Sequence, residues 1–132
     1  MRTHNGMGPE KIAKIAVAAL EDIKGRDIVA FNVRKMTALF DKVIIASGDS
    51  NRQVRALAHN VCEEIKKAGG QVHGMEGGQT GEWVLVDLGA VVVHVMQPAI
   101  RQYYNLEEIW GAPPRRPARK TAVRKMPGRA TV

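Results

Sequence analysis

EWVLVDLGAVVVHVM, residues 82–96, decides the fold. Two dense apolar runs, Glu82–Leu88 and Ala90–Met96, are rich in β-branched valine and too short to be core helices. Gly89 separates them so closely that the pair predicts a β-hairpin. Strand alternation puts Trp83, Leu85 and Asp87 on one face of the first strand. In the second strand it groups Val92, His94 and Met96 on one face and Val91, Val93 and Val95 on the other. His94 thus points the same way as two apolar residues. The spacing predicts a buried or half-buried imidazole, paired with Asp87 or a backbone carbonyl. Beyond the hairpin come Arg101, Tyr103, Tyr104, Leu106 and Trp110, so both tyrosines and both tryptophans of the chain fall between Trp83 and Trp110. With only 5% aromatic residues overall, that concentration offers either a core or a recognition surface.

Working toward the N-terminus, QVHGME (71–76) reads as another strand, preceded by the Gly69-Gly70 helix stop. Val54, Leu57, Ala58, Val61, Cys62 and Ile65 recur at helical spacing. Ser50 and Gln53 carry the capping-box pattern at the head of that helix. KVIIAS (42–47) and DIVAFNV (27–33) are β-rich and joined by a short segment, which predicts an antiparallel pair. The succession from Val43 through the helix to His73 predicts a crossover and a parallel pair. Pro9 opens a first helix lined by Ile12, Ile15, Ala16, Ala19, Leu20 and Ile23, running to about Lys24 and ended by Gly25. Pro98 opens a last helix expected to end near Trp110. The order α-β-β-α-β-β-β-α gives an α/β single domain, a mixed five-stranded sheet with flanking helices. Residues 1–8 are expected to be a flexible N-terminus, 9–110 the folded domain and 111–132 a disordered basic tail.

That tail explains the net charge of +7. Residues 1–110 carry 13 Lys/Arg against 13 Asp/Glu. The excess is Arg115, Arg116, Arg119, Lys120, Arg124, Lys125 and Arg129, set among four prolines and two glycines. Such a segment buries too little surface to fold. A sequence-independent electrostatic tether to RNA-rich surroundings is its functional expectation, since counterion release rewards clustered Lys/Arg near phosphates. No run is apolar enough to span a bilayer, and MRTHNGMGPEK lacks a signal-peptide core, so a cytoplasmic chain with no membrane partner is expected. The single cysteine, Cys62, excludes an internal disulfide and is expected to be inert packing.

Little in the chain points to catalysis. Neither His73 nor His94 has a second ligand at metal-site spacing, so no metal and no cofactor is expected. The enzyme alternative is a nucleotide-binding or nucleotidyltransferase-like protein using the turn Gly48–Ser50, because a helix N-terminus after a glycine suits phosphate. Asp41, Asp49 and Asp87 are not spaced as a pair for Mg²⁺. A helix cap already accounts for Ser50.

The elements DIVAFNV, Asp41-Lys42-Val43-Ile44, Ser47-Gly48-Asp49-Ser50-Asn51-Arg52-Gln53-Val54, Glu76-Gly77, Trp83, Asp87-Leu88-Gly89, Val92–Met96 and Arg101-x-x-Tyr104-x-Leu106-Glu107-x-x-Trp110 stand in a distinctive order. In that order the chain, from about Ile12 to Trp110, resembles the ribosomal silencing factors, the Iojap family. The resemblance implies a nucleotidyltransferase-like scaffold without catalysis. It implies binding to protein L-fourteen of the large ribosomal subunit, where the small subunit would dock. Subunit joining would be blocked sterically and translation repressed under nutrient limitation, with a homodimer when free. The expected partner-binding residues are Trp83, Asp87, His94, Met96, Tyr104, Leu106 and Trp110. Two positions depart from the family pattern: Asn32 stands where Asp is common, and Ala90 where an acidic residue is usual, a loss expected to reshape a contact with basic partner residues.

Overall fold

A computed structural model describes residues 7–105. The elements run α1 (Pro9–Asp22), β1 (Arg26–Asn32), β2 (Lys42–Ser47), α2 (Asn51–Lys67), β3 (Gly74–Glu76), β4 (Trp83–Asp87), β5 (Val91–Met96) and α3 (Pro98–Tyr104). The expected order holds, and the five strands form one mixed sheet in the order β1-β2-β5-β4-β3.

The hairpin is the centre of the fold. β4 and β5 pair antiparallel, with Asp87 opposite Val92 and Trp83 opposite Met96. The Leu88 N–H donates to the Val91 carbonyl at 2.9 Å, leaving Gly89 and Ala90 as a two-residue loop. Gly89 has φ +90°, the value a primed turn requires at its first loop position. The Ala90 carbonyl then accepts from the N–H groups of Asp41 (2.7 Å) and Lys42 (3.2 Å), joining the turn to the start of β2. β2 runs parallel to β5, Ile45 standing opposite His94.

That pairing corrects one expectation. The parallel partner of β2 is β5, not β3, which is separated from β2 by two strands and pairs antiparallel with β4. The 71–76 segment lacks the apolar content for an interior place; only Gly74–Glu76 forms a strand, and all of it is exposed. The valine-rich β5, buried throughout, has that content and takes the centre.

α1 and α2 cover one face of the sheet. Ile12, Ala16, Ala19 and Leu20 of α1 and the expected stripe Val54–Ile65 of α2 pack on Ile44, Ala46, Val84, Val86, Val91, Val93 and Val95. Met7 belongs to this core, so residue 7 is packed rather than part of a flexible end; a Cβ on Gly70 would meet its terminal methyl at 2.5 Å. Cys62 is buried here, and burial pushes its thiol pKa up.

The two long helices end alike. In α2 the Gly70 N–H returns to the Ile65 carbonyl at 2.8 Å and the Gly69 N–H to Lys66 at 3.0 Å, with Gly69 at φ +92°. In α1 Gly25 returns to Leu20 at 2.8 Å and Lys24 to Glu21 at 3.0 Å. There the left-handed residue is Lys24, at φ +64°, rather than a glycine. Gly25 is needed for space: a Cβ would stand 3.0 Å from the Leu20 carbonyl oxygen and 3.1 Å from Leu57. α3 stops well short of Trp110, because Asn105 adopts a left-handed conformation (φ 45°) and its N–H closes on the Arg101 carbonyl at 2.8 Å. Asparagine tolerates that geometry better than other chiral residues.

Candidate functional site

The other face of the sheet carries those expected contact residues that lie on strands. By register it presents Phe31 of β1, Val43, Ile45 and Ser47 of β2, Val92, His94 and Met96 of β5, and Trp83, Leu85 and Asp87 of β4. Val33 and Phe40, from the β1–β2 connection, close one end. α3 lies over the other end through Ile100 and through Arg101, which is 4% exposed and donates to the Ser47 hydroxyl at 2.8 Å. Between these covers Phe31, Trp83, Leu85 and Ile100 remain half-buried, and Tyr103 beside them is 68% exposed.

Trp83 and His94 are coupled. The Trp83 indole Nε1–H donates to His94 Nδ1 at 3.1 Å, with ring centroids 6.0 Å apart. An accepting Nδ1 assigns the imidazole the tautomer protonated at Nε2. His94 is only 1% exposed and Met96 0%, so both of these expected contact residues lie beneath the surface of this face. Their strand, β5, is the central one of the five, and Trp83 stands opposite Met96 in register. Nor does Asp87 pair with His94. The register sets Leu85 opposite His94, two residues away, and Asp87 Oδ1 instead accepts from the Gly89 N–H at 2.9 Å. Asp87 is exposed at the rim and rigidifies the hairpin turn.

Of the expected contact residues, the structure therefore brings together Trp83, His94 and Met96 and leaves Asp87 at the edge of the same face. Leu106, Trp110 and the Tyr104 side chain lie outside what is described, as do the 111–132 tail and most of 1–8. Phe31 and Ile100 were not expected here. For Phe31 the signal was alternation in β1, which sets it on the face of Val29. Ala90, the position expected to reshape a partner contact, is 1% exposed and packed among the helix-side core residues.

The Gly48–Ser50 turn is occupied by its own side chains. Ser50 Oγ accepts from the Gln53 N–H at 3.0 Å. The Gln53 carbonyl oxygen accepts from Asp49 N–H at 2.6 Å, one residue before the position a capping box would use. Its amide donates to the carbonyls of Ile23 (3.1 Å) and Lys24 (3.2 Å), tying the end of α1 to the start of α2. The Asp49 carboxylate, paired with Arg26, adds negative charge where a phosphate would sit. Gly48 is explained by packing, since a Cβ would lie 3.0 Å from both Leu57 and Val54. Among the described residues no group of three or more His, Cys, Asp or Glu side chains is arranged to hold a metal ion, and no helix is long and apolar enough to cross a membrane.

Comparisons with known proteins agree with this architecture. Residues 7–131 match the family model described as ribosomal silencing factor during starvation, a wider span than the 12–110 resemblance. The chain is 56% identical over 102 residues to a ribosomal silencing factor of Chromobacterium violaceum, covering 77% of this chain and 84% of that one. It is 43% identical over 99 residues to the one from Haemophilus influenzae, covering 75% and 97%. A crystal structure of a Chromobacterium violaceum protein superposes with a TM-score of 0.80 at 51% identity, covering 88% of this chain and 95% of that one. The chain belongs to the ribosomal silencing factor family.

Proposed function

We propose that this chain binds protein L-fourteen on the large ribosomal subunit, where the small subunit would dock, and represses translation under nutrient limitation by blocking subunit joining. Family membership supports the ribosomal setting. The observation that carries the site is the half-open apolar face, on which Trp83 and Leu85 lie between the covers of Phe40 and Ile100 while the helix-covered face is closed. Half-buried aromatics on a rigid sheet offer large contact area at small entropic cost. Trp83 and Asp87 are the described contact residues, with Tyr104, Leu106 and Trp110 as further ones. The action is steric, needs no cofactor and takes place in the cytoplasm. The free protein is a homodimer, and the basic tail adds a weak, salt-sensitive rRNA contact.

The test is sedimentation of purified large subunits saturated with the protein, followed by addition of small subunits. Loss of the joined-ribosome peak is expected; normal joining at saturation overturns the proposal. A nucleotide-binding function at Gly48–Ser50 predicts instead a rise in melting temperature with nucleotide and Mg²⁺. No shift is expected, because the turn's side chains already fill it.

A further inference from the structure

We infer that His94 is a positioning residue for recognition: its buried Nδ1 holds the Trp83 indole in the orientation that the partner meets. This rests on Trp83 being a contact residue, as proposed above. A half-buried indole on a sheet surface has two side-chain torsions to settle, and apolar packing alone fixes its depth more than its rotation. A directional N–H···N bond fixes the rotation. Here the acceptor is itself held by burial: His94 is 1% exposed, on the central strand, between Ile45 on one side and Leu85 on the other. The bond is a diagonal one across the β4–β5 pair, within reach of long aromatic side chains. An indole ordered before binding loses less freedom when the partner arrives, and that saving appears as affinity. The histidine also explains why a polar residue interrupts the valines of β5. A valine or leucine there would pack as well but would leave the indole N–H without this acceptor.

Three variants of the full chain test this, with affinity for purified large subunits and thermal melting as readouts. His94→Leu keeps the volume but removes the acceptor, and is expected to melt cooperatively while binding about three- to ten-fold more weakly. His94→Asn places Oδ1 near the position of Nδ1 and is expected to recover binding to within about two-fold of the unaltered protein. Trp83→Ala is expected to bind more weakly than either. If His94→Leu binds like the unaltered protein, or if His94→Asn folds yet binds no better than His94→Leu, the inference fails and the Trp83 site stands. If Trp83→Ala binds normally, the site itself fails and the inference with it. Should the histidine variants not fold, the ¹⁵N-labelled unaltered chain still decides. A scalar coupling between Trp83 Nε1 and His94 Nδ1 supports the inference, and its absence with rapid exchange of the indole proton overturns it.

Discussion

On one face of the sheet, Val84 and Val86 of β4 lie sealed beneath α2; on the other, Trp83 and Leu85 of the same strand stay half-open under partial cover. The contrast separates two uses of apolar area. The helix side is built from aliphatic residues at their ordinary spacing, with glycines at 25, 48 and 70 where α1, α2 and the sheet approach closely. The opposite side mixes aromatics, a buried histidine and a buried arginine, residue types that fix direction as well as fill volume. Damage to the first should read as lost stability, and damage to the second as lost binding.

The sharpest way to break that division is Leu57→Ala. Leu57 is fully buried against Gly25 and Gly48, so its truncation should cost about 3 kcal/mol of stability in urea unfolding. Large-subunit affinity, normalised to folded protein, should be unchanged. Trp83→Ala should invert the pattern, costing about 2 kcal/mol of binding, roughly 30-fold, in large-subunit pelleting. Its stability loss should remain below that of Leu57→Ala, because the ring is only half-buried. Equal losses of stability would erase the distinction between the faces. Ser50→Ala removes the acceptor at the head of α2 and should cost about 1 kcal/mol in the same unfolding experiment, with binding retained. Lys24→Gly should raise stability slightly, by about 0.5 kcal/mol, since relief of the left-handed strain is partly offset by a freer unfolded chain. A loss there would mean that the Lys24 side chain contributes more than its backbone strain costs.

Local pattern made the elements legible. The stripe Val54, Leu57, Ala58, Val61, Cys62, Ile65 is the buried face of α2 as its spacing predicts, and Gly89 is the turn its position predicts. Strand order was harder to see, because alternation marks a strand without naming its neighbour. The adjacency of β2 and α2 in sequence suggested β3 as the parallel partner, whereas apolar content placed β5 there. Within the site, the face shared by Trp83, Leu85 and Asp87 was readable, but which side chains surface on it was not. His94 and Met96 look alike in sequence to any strand residue on that face, and the place of β5 at the centre of the five strands, which buries them, leaves no mark in the local pattern. The Gln53 tie from α2 back to the Ile23 and Lys24 carbonyls spans distant sequence positions and leaves no local mark.

The place of β5 has a consequence for how the molecule is made. It bonds to β2 on one side and to β4 on the other, yet it is the last strand of the described chain. Until Met96 has been synthesised, β1 and β2 have no connection to β3 and β4, and the valines that α1 and α2 cover are incomplete. The loop closed by the β2–β5 pairing runs from residue 48 to residue 90, so most of its entropic cost falls in one late step. Assembly of the sheet is therefore all-or-none at that step, and truncations before β5 should yield chains that do not fold rather than a smaller version of the domain.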